Sequence, residues 1–131
     1  MAKKVSRGKK QKSKRQTPKG RLYIMASFNN TLVTVTDEDG GVIAWGSSGN
    51  SGFKGTRKST PFAATSAVEK ALDKAKNENG LREVEIYVKG PGTGRDAALR
   101  AVRSANLKIS MIADLTPIPH NGPRPKKKRR A

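Results

Sequence analysis

Residues 52–59, Gly-Phe-Lys-Gly-Thr-Arg-Lys-Ser, combine three cations with a position directly before a predicted helix. Free backbone N–H groups and the positive end of the helix dipole favour an anion at such a position. Lys54, Arg57 and Lys58 favour the same ligand, and no acidic residue occurs between positions 40 and 68. The segment lacks the glycine and lysine spacing of a Walker A loop. It therefore predicts a phosphate contact, with a flexible surface loop as the alternative.

A second glycine-rich segment, residues 90–95 (GPGTGR), precedes the second predicted helix. Its glycines fall at positions 90, 92 and 94, which does not match the G-x-G-x-x-G fingerprint of dinucleotide-binding folds. No nucleotide cofactor is therefore expected. Two interpretations remain open: a glycine-rich crossover turn, or a backbone cradle for an RNA phosphate to which Lys89 and Arg95 add charge.

The residues needed for catalysis are scarce. Nucleases of the ribonuclease H type hold two metal ions with clustered carboxylates, and the first predicted strand, residues 22–28, has none. Asp37 and Asp39 are more simply turn formers, Asp114 stands alone, and His120 has no partner nearby in sequence. The chain has no cysteine, which excludes disulfides, thiolate metal sites and a cysteine nucleophile. We therefore expect no enzymatic activity, no cofactor and no metal site.

The positive charge lies at the two ends of the chain. The 131 residues include 28 Lys and Arg against 10 Asp and Glu, a net charge of +18. Ten basic residues and no acidic one fall in residues 1–21, and six basic and no acidic ones in residues 122–131, while the residues between are nearly balanced. This partition predicts one compact domain with two arms that bind a polyanion in a strongly salt-dependent way.

Structured RNA fits this pattern better than other polyanions. An anionic membrane is disfavoured because neither arm has a bulky apolar face or a lipidation motif. Aromatic residues make up 5% of the chain, so we do not expect base stacking as the main mode of binding. The sequence lacks a secretory signal and a membrane-spanning apolar run, which predicts an intracellular protein. A general nucleoid protein or RNA chaperone is the alternative function.

Apolar periodicity predicts a mixed α/β fold with the element order βββαβαβ. The three first strands should form an antiparallel meander, and the last two should pair in parallel through a right-handed crossover. Thr60 and Pro61 suit the start of the first helix, and Asn79 and Gly80 its end. The predicted strands are residues 22–28, 31–36, 42–45, 83–89 and 108–115.

The apolar residues of these elements define a candidate core. In the first helix they are Ala64, Val68, Ala71, Leu72 and Ala75, and in the second Ala98, Leu99, Val102 and Ala105. The last strand is predicted to place Leu107, Ile109, Met111, Ala113 and Leu115 on one face. We expect a basic N-terminal arm, residues 1–21, that is disordered until bound, a domain at residues 22–116, and a proline-stiffened tail at residues 117–131.

Four stretches of the chain closely resemble the family of small-subunit ribosomal protein eleven in its bacterial and plastid form. They are ASFNNTLVTVTD (26–37), SGFKGTRKSTPFAA (51–64), VKGPGTGRDAALRA (88–101) and DLTPIPHNGPRPKKKRR (114–130). One departure is Pro123, where bacterial members commonly have cysteine. In family members the Asn-Gly pair can rearrange to isoaspartate, and the resemblance extends this to Asn121 and Gly122.

The resemblance implies a ribonuclease H-like α/β fold, with a mixed five-stranded sheet, that lacks the catalytic acids. It implies a structural constituent of the small ribosomal subunit that bridges ribosomal RNA helices on the platform, near the messenger RNA exit and the Shine-Dalgarno cleft. The implied partners are ribosomal RNA, small-subunit proteins of types seven and eighteen, nearby messenger RNA and initiation factor three. We expect a cytoplasmic ribosomal location, no membrane partner and no homo-oligomer.

Charge and resemblance together define the candidate RNA-binding residues. The N-terminal arm contributes Lys3, Lys4, Arg7, Lys9, Lys10, Lys12, Lys14 and Arg15. The domain contributes Asn29, Asn30, Thr31, Lys54, Arg57, Lys58, Ser59, Lys89, Gly90, Gly92, Gly94 and Arg95. The tail contributes His120, Asn121, Arg124, Lys126, Lys127, Lys128, Arg129 and Arg130.

Overall fold

The computed structural model of the chain describes residues 16–128, apart from the side chain of Thr56. It contains five strands, a short 3-10 helix at Gly55–Ser59 and two α-helices in the predicted order. The strands are β1 Lys19–Ala26, β2 Thr31–Asp37, β3 Val42–Ser47, β4 Glu83–Lys89 and β5 Lys108–Asp114. The helices are α1 Pro61–Asn79 and α2 Gly94–Ser104.

The five strands form one mixed sheet with the order β3-β2-β1-β4-β5. β1 pairs antiparallel with β2, and β2 antiparallel with β3, which confirms the predicted meander. β4 pairs in parallel with β5, as the crossover through α2 predicts, and it also pairs in parallel with β1. The mixed α/β class with a five-stranded sheet is therefore confirmed.

The ends of α1 follow from local chemistry. The Thr60 hydroxyl accepts a hydrogen bond from the backbone N–H of Ala63 at 3.3 Å, and Pro61 occupies the first helical turn. The helix ends at Gly80, whose φ of 65° lies in the left-handed region that glycine tolerates. The Gly80 N–H donates to the carbonyl of Lys76 at 3.1 Å. Both predicted boundaries of this helix are confirmed.

Both helices pack on the same face of the sheet. Alternate residues of the central strands point toward them and are buried, including Leu22 and Ile24 of β1 and Ile86 of β4. α1 faces them with Leu72 and a row of fully buried alanines, whose small side chains let the helix approach the sheet closely. The five core residues predicted for α1 are all buried. The other face of the sheet carries no layer among residues 16–128.

The boundary of the N-terminal arm differs from the prediction. β1 begins at Lys19, and the Thr17 N–H donates to the carbonyl of Asn79 at 2.8 Å. The N–H groups of Arg82 and Glu83 both donate to the carbonyl of Pro18 at 2.9 Å. Residues 16–21 are thus held by the domain, and the prediction that they are disordered is wrong. Residues 1–15 of the arm lie outside the described residues.

Two strand predictions also require correction. β1 ends at Ala26 rather than at Phe28, because the chain already turns at Ser27, whose N–H donates to the carbonyl of Asn30 at 2.9 Å. The single apolar face predicted for the last strand is wrong. Ile109 pairs with Val84 but Met111 pairs with Glu85, so a bulge at Ser110 moves the following residues to the opposite face.

The bulge leaves several apolar side chains of this edge strand in solvent. Met111 and Leu115 are both more than two-fifths exposed, whereas Leu107 is buried and Ile109 is partly buried against the core. After β5 the described chain, residues 115–128, contains no helix or strand, as its prolines predict. The tail is nevertheless not extended throughout, because it bends at residues 120, 121 and 123 and Asn121 has a φ of 58°.

Two leucines test whether the core lies on only one side of the sheet. Leu72 of α1 is 0% exposed and Leu32 of β2 is 39% exposed. We expect Leu72→Ala to lower the free energy of unfolding by about 2–5 kcal/mol, because it opens a cavity in the core. Leu32→Ala should cost less than about 1 kcal/mol. Urea unfolding of the two variants measures both, and similar losses would contradict a one-sided core.

Candidate nucleic-acid interface

The direction of the strands places four connecting segments at one end of the sheet. β1, β3, β4 and β5 all run the same way, so the segments that follow them emerge together, at what we call the carboxyl end. These segments are residues 27–30, 48–60, 90–93 and the tail from residue 115. They carry eight of the twelve candidate RNA-binding residues predicted within the domain, and the other four lie within two positions of them.

Hydrogen bonds join these segments into one surface. The Thr93 hydroxyl donates to the carbonyl of Ser59 at 2.5 Å, which places the N-termini of α1 and α2 side by side. The Ser48 N–H donates to the carbonyl of Thr31 at 3.1 Å, and the Gly92 N–H to the carbonyl of Ala26 at 2.8 Å. The positive ends of two helix dipoles therefore point toward the same part of the surface.

The domain is nearly neutral as a whole but electrically polarised. Lys54 and Arg57 are exposed at the carboxyl end, and Lys58 is half-buried beside them. The acidic residues Glu38 and Asp39 lie in the β2–β3 turn at the opposite end. Both α-helices also end there, and their negative dipole ends add to the acidic character. An anion such as phosphate is thus favoured more at the carboxyl end than at the opposite end, where cations such as Arg82 and Lys108 only balance the acidic residues.

Two carboxylates interrupt the cationic surface of the carboxyl end. Asp96 is exposed in the first turn of α2, which weakens the attraction of that helix N-terminus for an anion. Asp114 at the end of β5 forms an ion pair with Arg95, described below. The N-terminus of α1 has no acidic residue in its first turn, so it attracts an anion more strongly than the N-terminus of α2 does.

The predicted residues differ in how far they reach solvent. Asn29, Lys54, Arg57, Lys89, His120, Asn121, Arg124 and Lys126 to Lys128 are exposed. Thr31 is 1% exposed, which leaves its side chain no surface for contact with RNA. The Asn30 amide oxygen accepts a hydrogen bond from the Thr31 N–H at 2.8 Å, so this side chain holds the turn. The candidates at positions 3–15, and Arg129 and Arg130, lie outside the described residues.

The glycines of residues 90–94 are required for close packing. A Cβ atom on Gly92 would lie 2.7 Å from the carbonyl oxygen of Ala26, and one on Gly94 would lie 2.9 Å from the Cβ of Ala64. Gly90 has a φ of 100°, a conformation that residues with side chains rarely adopt. Both Gly92 and Gly94 are buried. These contacts favour the crossover turn over the phosphate cradle.

The Arg95 guanidinium, predicted as an RNA contact, forms hydrogen bonds within the protein. It donates to Oδ2 of Asp114 at 2.8 Å and to the carbonyl of Gly90 at 3.2 Å. The other oxygen of Asp114 accepts hydrogen bonds from the Thr116 hydroxyl and backbone N–H, at 2.5 and 2.9 Å. The Thr116 hydroxyl also accepts from the Gly90 N–H at 3.2 Å. This network fastens the start of the tail to the crossover turn.

The same network explains the acidity of one carboxyl group. The Thr116 hydroxyl and the Arg95 guanidinium hold the pKa of Asp114 well below its usual range. Asp114 is therefore not isolated, although sequence reasoning placed it alone. Its partner Arg95 lies 19 positions earlier in the chain. No local sequence signal connects the two, and only the parallel pairing of β4 and β5 brings them together.

Residues 16–128 contain no group of three or more His, Cys, Asp or Glu side chains that could hold a metal ion. The Asp37 carboxylate accepts hydrogen bonds from the N–H groups of Asp39 and Gly41, at 3.0 and 2.7 Å. It therefore serves the turn, as predicted. No helix in this part of the chain is long and apolar enough to cross a membrane.

Comparison with known proteins adds two kinds of evidence. The family model described as "Ribosomal protein S11" matches residues 20–130. Over 121 residues the chain is 58% identical to "Small ribosomal subunit protein uS11" of Desulfovibrio desulfuricans, which covers 92% of this chain and 93% of the relative. The protein of the same description from Nitratidesulfovibrio vulgaris shows the same identity and coverage.

The Asp114 network predicts a specific pH dependence. Ionised Asp114 stabilises the fold above a pH of about 4, where the carboxyl group of the unfolded chain is also ionised. Because its folded pKa is lowered, this contribution is lost as the pH falls below that value. Asp114→Asn should therefore be less stable than the unchanged chain at pH 7, with the gap narrowing toward pH 3. Urea unfolding of the free protein at both pH values measures the gap.

Asp73→Asn is the matched control, since Asp73 is exposed on α1 and has no hydrogen-bond partner among the described residues. We expect this variant to follow the unchanged chain at both pH values. A gap for Asp114→Asn that is equal at pH 7 and pH 3 would contradict a role for the charge of Asp114.

Proposed function

The chain belongs to the ribosomal protein S11 family, and on this premise we propose that it binds and bridges helices of small-subunit ribosomal RNA. Membership makes it a structural constituent of the small ribosomal subunit, and thus an RNA-binding protein of translation, rather than an enzyme. The bridging role is supported chiefly by one observation: the two cationic arms join the polarised domain at opposite ends of its sheet.

The positions of the two arms follow from the topology. The described chain begins at Gln16, next to the C-terminal end of α1, where the Thr17 N–H binds the carbonyl of Asn79. The tail leaves after Asp114 at the carboxyl end. Strands of seven or eight residues separate the two ends by about 25 Å, at roughly 3.3 Å per residue. One protein can therefore contact phosphates of two different RNA segments.

At the carboxyl end the domain itself supplies the phosphate site. Lys54, Arg57 and Lys58 surround the N-terminus of α1, whose dipole adds to their charge. The tail carries further cations to RNA beyond the reach of the loop. Each cation docked on a phosphate releases counterions, so the affinity should fall steeply with salt. Screening of phosphate repulsion then allows RNA helices to lie close together.

The N-terminal arm joins the domain at the opposite end of the sheet. Acidic residues such as Glu38 are balanced there by cations such as Arg82 and Lys108, so this end of the domain carries no excess of positive charge. Residues 1–15 carry eight basic residues and no acidic one. The arm therefore supplies the positive charge that this end of the domain lacks. Contact with RNA at both ends requires the arm as well as the loop and tail.

The family resemblance supports finer proposals. We place the protein on the platform of the small subunit, near the messenger RNA exit and the Shine-Dalgarno cleft, in cytoplasmic ribosomes. Its neighbours would be small-subunit proteins of types seven and eighteen, with messenger RNA and initiation factor three nearby. Asn121, which has a φ of 58°, and the exposed His120 and Arg124 would contact RNA from the tail.

Single cations of the loop test the phosphate site. Arg57→Ala and Lys58→Ala should each weaken binding to small-subunit RNA and lower the slope of log affinity against log salt by about 1. Thermal stability should not change, because the hydrogen bonds at Arg57 use its backbone N–H and carbonyl, which alanine retains. Filter binding at several salt concentrations, together with thermal melting, measures both effects.

Lys74→Ala is the control for these variants, because it removes an exposed cation from α1 outside the proposed site. It should leave the affinity for RNA and the salt slope nearly unchanged. If Arg57→Ala lost stability and affinity together, the loop would be structural. Equal affinity for duplex DNA and unrelated RNAs at matched salt would favour the RNA-chaperone alternative.

Separate truncations test bridging. Removal of residues 1–15, and independently of residues 124–131, should leave the domain folded, since the buried Thr17 and the sheet are retained. Each truncation should lower the salt slope and abolish protection at a different set of RNA nucleotides. Hydroxyl-radical footprinting of small-subunit RNA and thermal melting check this. Loss of the same nucleotides in both truncations would contradict bridging.

A further inference from the structure

The face of the sheet opposite the helices, which we call the open face, carries apolar side chains that nothing covers among residues 16–128. They are Tyr23, Met25, Leu32, Trp45, Tyr87, Met111 and Leu115. We propose that the open face is a docking surface for an amphipathic helix of a neighbouring small-subunit protein. This inference goes beyond RNA bridging and rests on the proposed function only for the presence of the chain in the small subunit.

The strand register assembles these side chains into one surface. Trp45, Thr34, Tyr23 and Tyr87 are paired in sequence across four neighbouring strands. The rings of Tyr23 and Tyr87 are stacked, with centroids 5.2 Å apart and planes at 16°. Beside them lies a shallow cleft of about 250 Å³, lined mainly by apolar side chains. Met25, Leu32 and Leu115 form its walls together with the two tyrosines, and Lys89 is the one charged residue of its lining.

The exposure of this surface is unusual for so basic a chain. Trp45 is 56% exposed, although tryptophan normally buries most of its surface. Contiguous exposed apolar side chains on a folded domain mark interaction sites more often than single ones do. Parallel strands such as β1, β4 and β5 usually have both faces covered, whereas here one face is bare. A helix with apolar residues at i, i+3, i+4 and i+7 provides such a cover.

The charges of the open face argue against RNA as its occupant. The Arg21 guanidinium lies 3.6 Å from the Glu85 carboxylate, which also accepts a hydrogen bond from the Tyr87 hydroxyl at 3.0 Å. Lys19 and Lys108 are both paired in register with Glu83, and Glu38 lines the same pocket as Lys19 and Arg21. The cations at this end of the face are thus balanced by carboxylates, which repel phosphate. An apolar partner of low charge is complementary to this surface.

The aromatic geometry leads to the same choice. RNA-binding sheets present the flat faces of aromatic rings for base stacking. Here Tyr23 and Tyr87 stack on each other, which removes one face of each ring from contact with bases. Cations that would hold the RNA backbone are concentrated instead in the arms and in the loop at the carboxyl end. A protein partner therefore fits the open face better than RNA.

Segments of this chain do not fit the surface. Residues 1–15 contain Val5 as their only sizeable apolar residue after Met1, and residues 129–131 are Arg-Arg-Ala. Neither can fill an apolar cleft. A second copy would bring two chains of charge +18 together, which electrostatic repulsion opposes. The remaining occupant is a helix from another protein of the subunit.

Photocrosslinking within assembled small subunits tests the proposal. One full-length variant replaces Trp45 by the photoreactive residue benzoylphenylalanine, and a control variant replaces Phe62 by the same residue. Phe62 is 71% exposed in the first turn of α1 and contacts Phe53 of the loop, so it lies on the proposed RNA side. Crosslinked peptides and nucleotides are identified by mass spectrometry.

We expect position 45 to crosslink to a helical, apolar-rich peptide of another small-subunit protein, and position 62 to crosslink to RNA. An RNA crosslink at position 45 would overturn the proposal in favour of base stacking. The absence of a crosslink at position 45, while position 62 reacts, would also overturn it. A protein crosslink at position 45 without an RNA crosslink at position 62 would instead count against the proposed phosphate site.

Oxidation of the protein without any substitution is a second test of whether the open face is covered, and it avoids any effect of a substitution on the fold. Met25 and Met111 lie on the open face and are more than two-fifths exposed in the free chain. If a helix covers this face, hydroxyl radicals should oxidise both methionines at least tenfold more slowly in the small subunit than in the free protein. Equal rates of oxidation in the two states would overturn the proposal.

Discussion

Four of the five strands run in the same direction, and the chemistry of the carboxyl end depends on this constraint. Strands that share a direction release the chain at one end, so the segments after β1, β3, β4 and β5 meet there. The same directions place both helix N-termini at that end and both helix C-termini at the other. A domain of nearly zero net charge thereby acquires one end that favours anions over the other. The cationic loop adds to a field that the backbone already provides.

A fixed surface also requires that the segments at the carboxyl end hold one another. The packing of Gly92 and Gly94 against Ala26 and Ala64 leaves no room for side chains, and the Thr93 hydroxyl ties the two helix starts together. Arg95 forms an ion pair with Asp114, and this contact sets the direction in which the tail leaves the domain. Residues that resemble RNA contacts in sequence thus divide into those that reach solvent and those that hold the scaffold. This division keeps the exposed cations in place before RNA binds, which lowers the entropy lost on binding.

The two faces and two ends of the sheet differ in chemistry. One face is buried under alanine-rich α1 and α2, while the other exposes a tyrosine pair and balanced charges. The carboxyl end has an excess of cations, whereas acidic and basic residues are balanced at the opposite end. A small protein with such a distribution can contact RNA at its ends and a protein at its side without competition between them. This arrangement suits a particle in which one chain has several different neighbours.

The amino-acid sequence alone determined the local features of this protein. Apolar periodicity, the Thr60–Pro61 start and the Gly80 end of α1, and the concentration of cations in the arms all depend on residues near one another in the chain, so they could be predicted. The tertiary structure decided the placement of β4 beside β1, the bulge at Ser110, the pairing of Arg95 with Asp114, and the burial of Thr31. Each of these depends on contacts between residues that are distant in the chain. The apolar periodicity of the sequence does not specify such contacts. The open face was decided in the same way, because only the packing of both helices on one side leaves the other side bare.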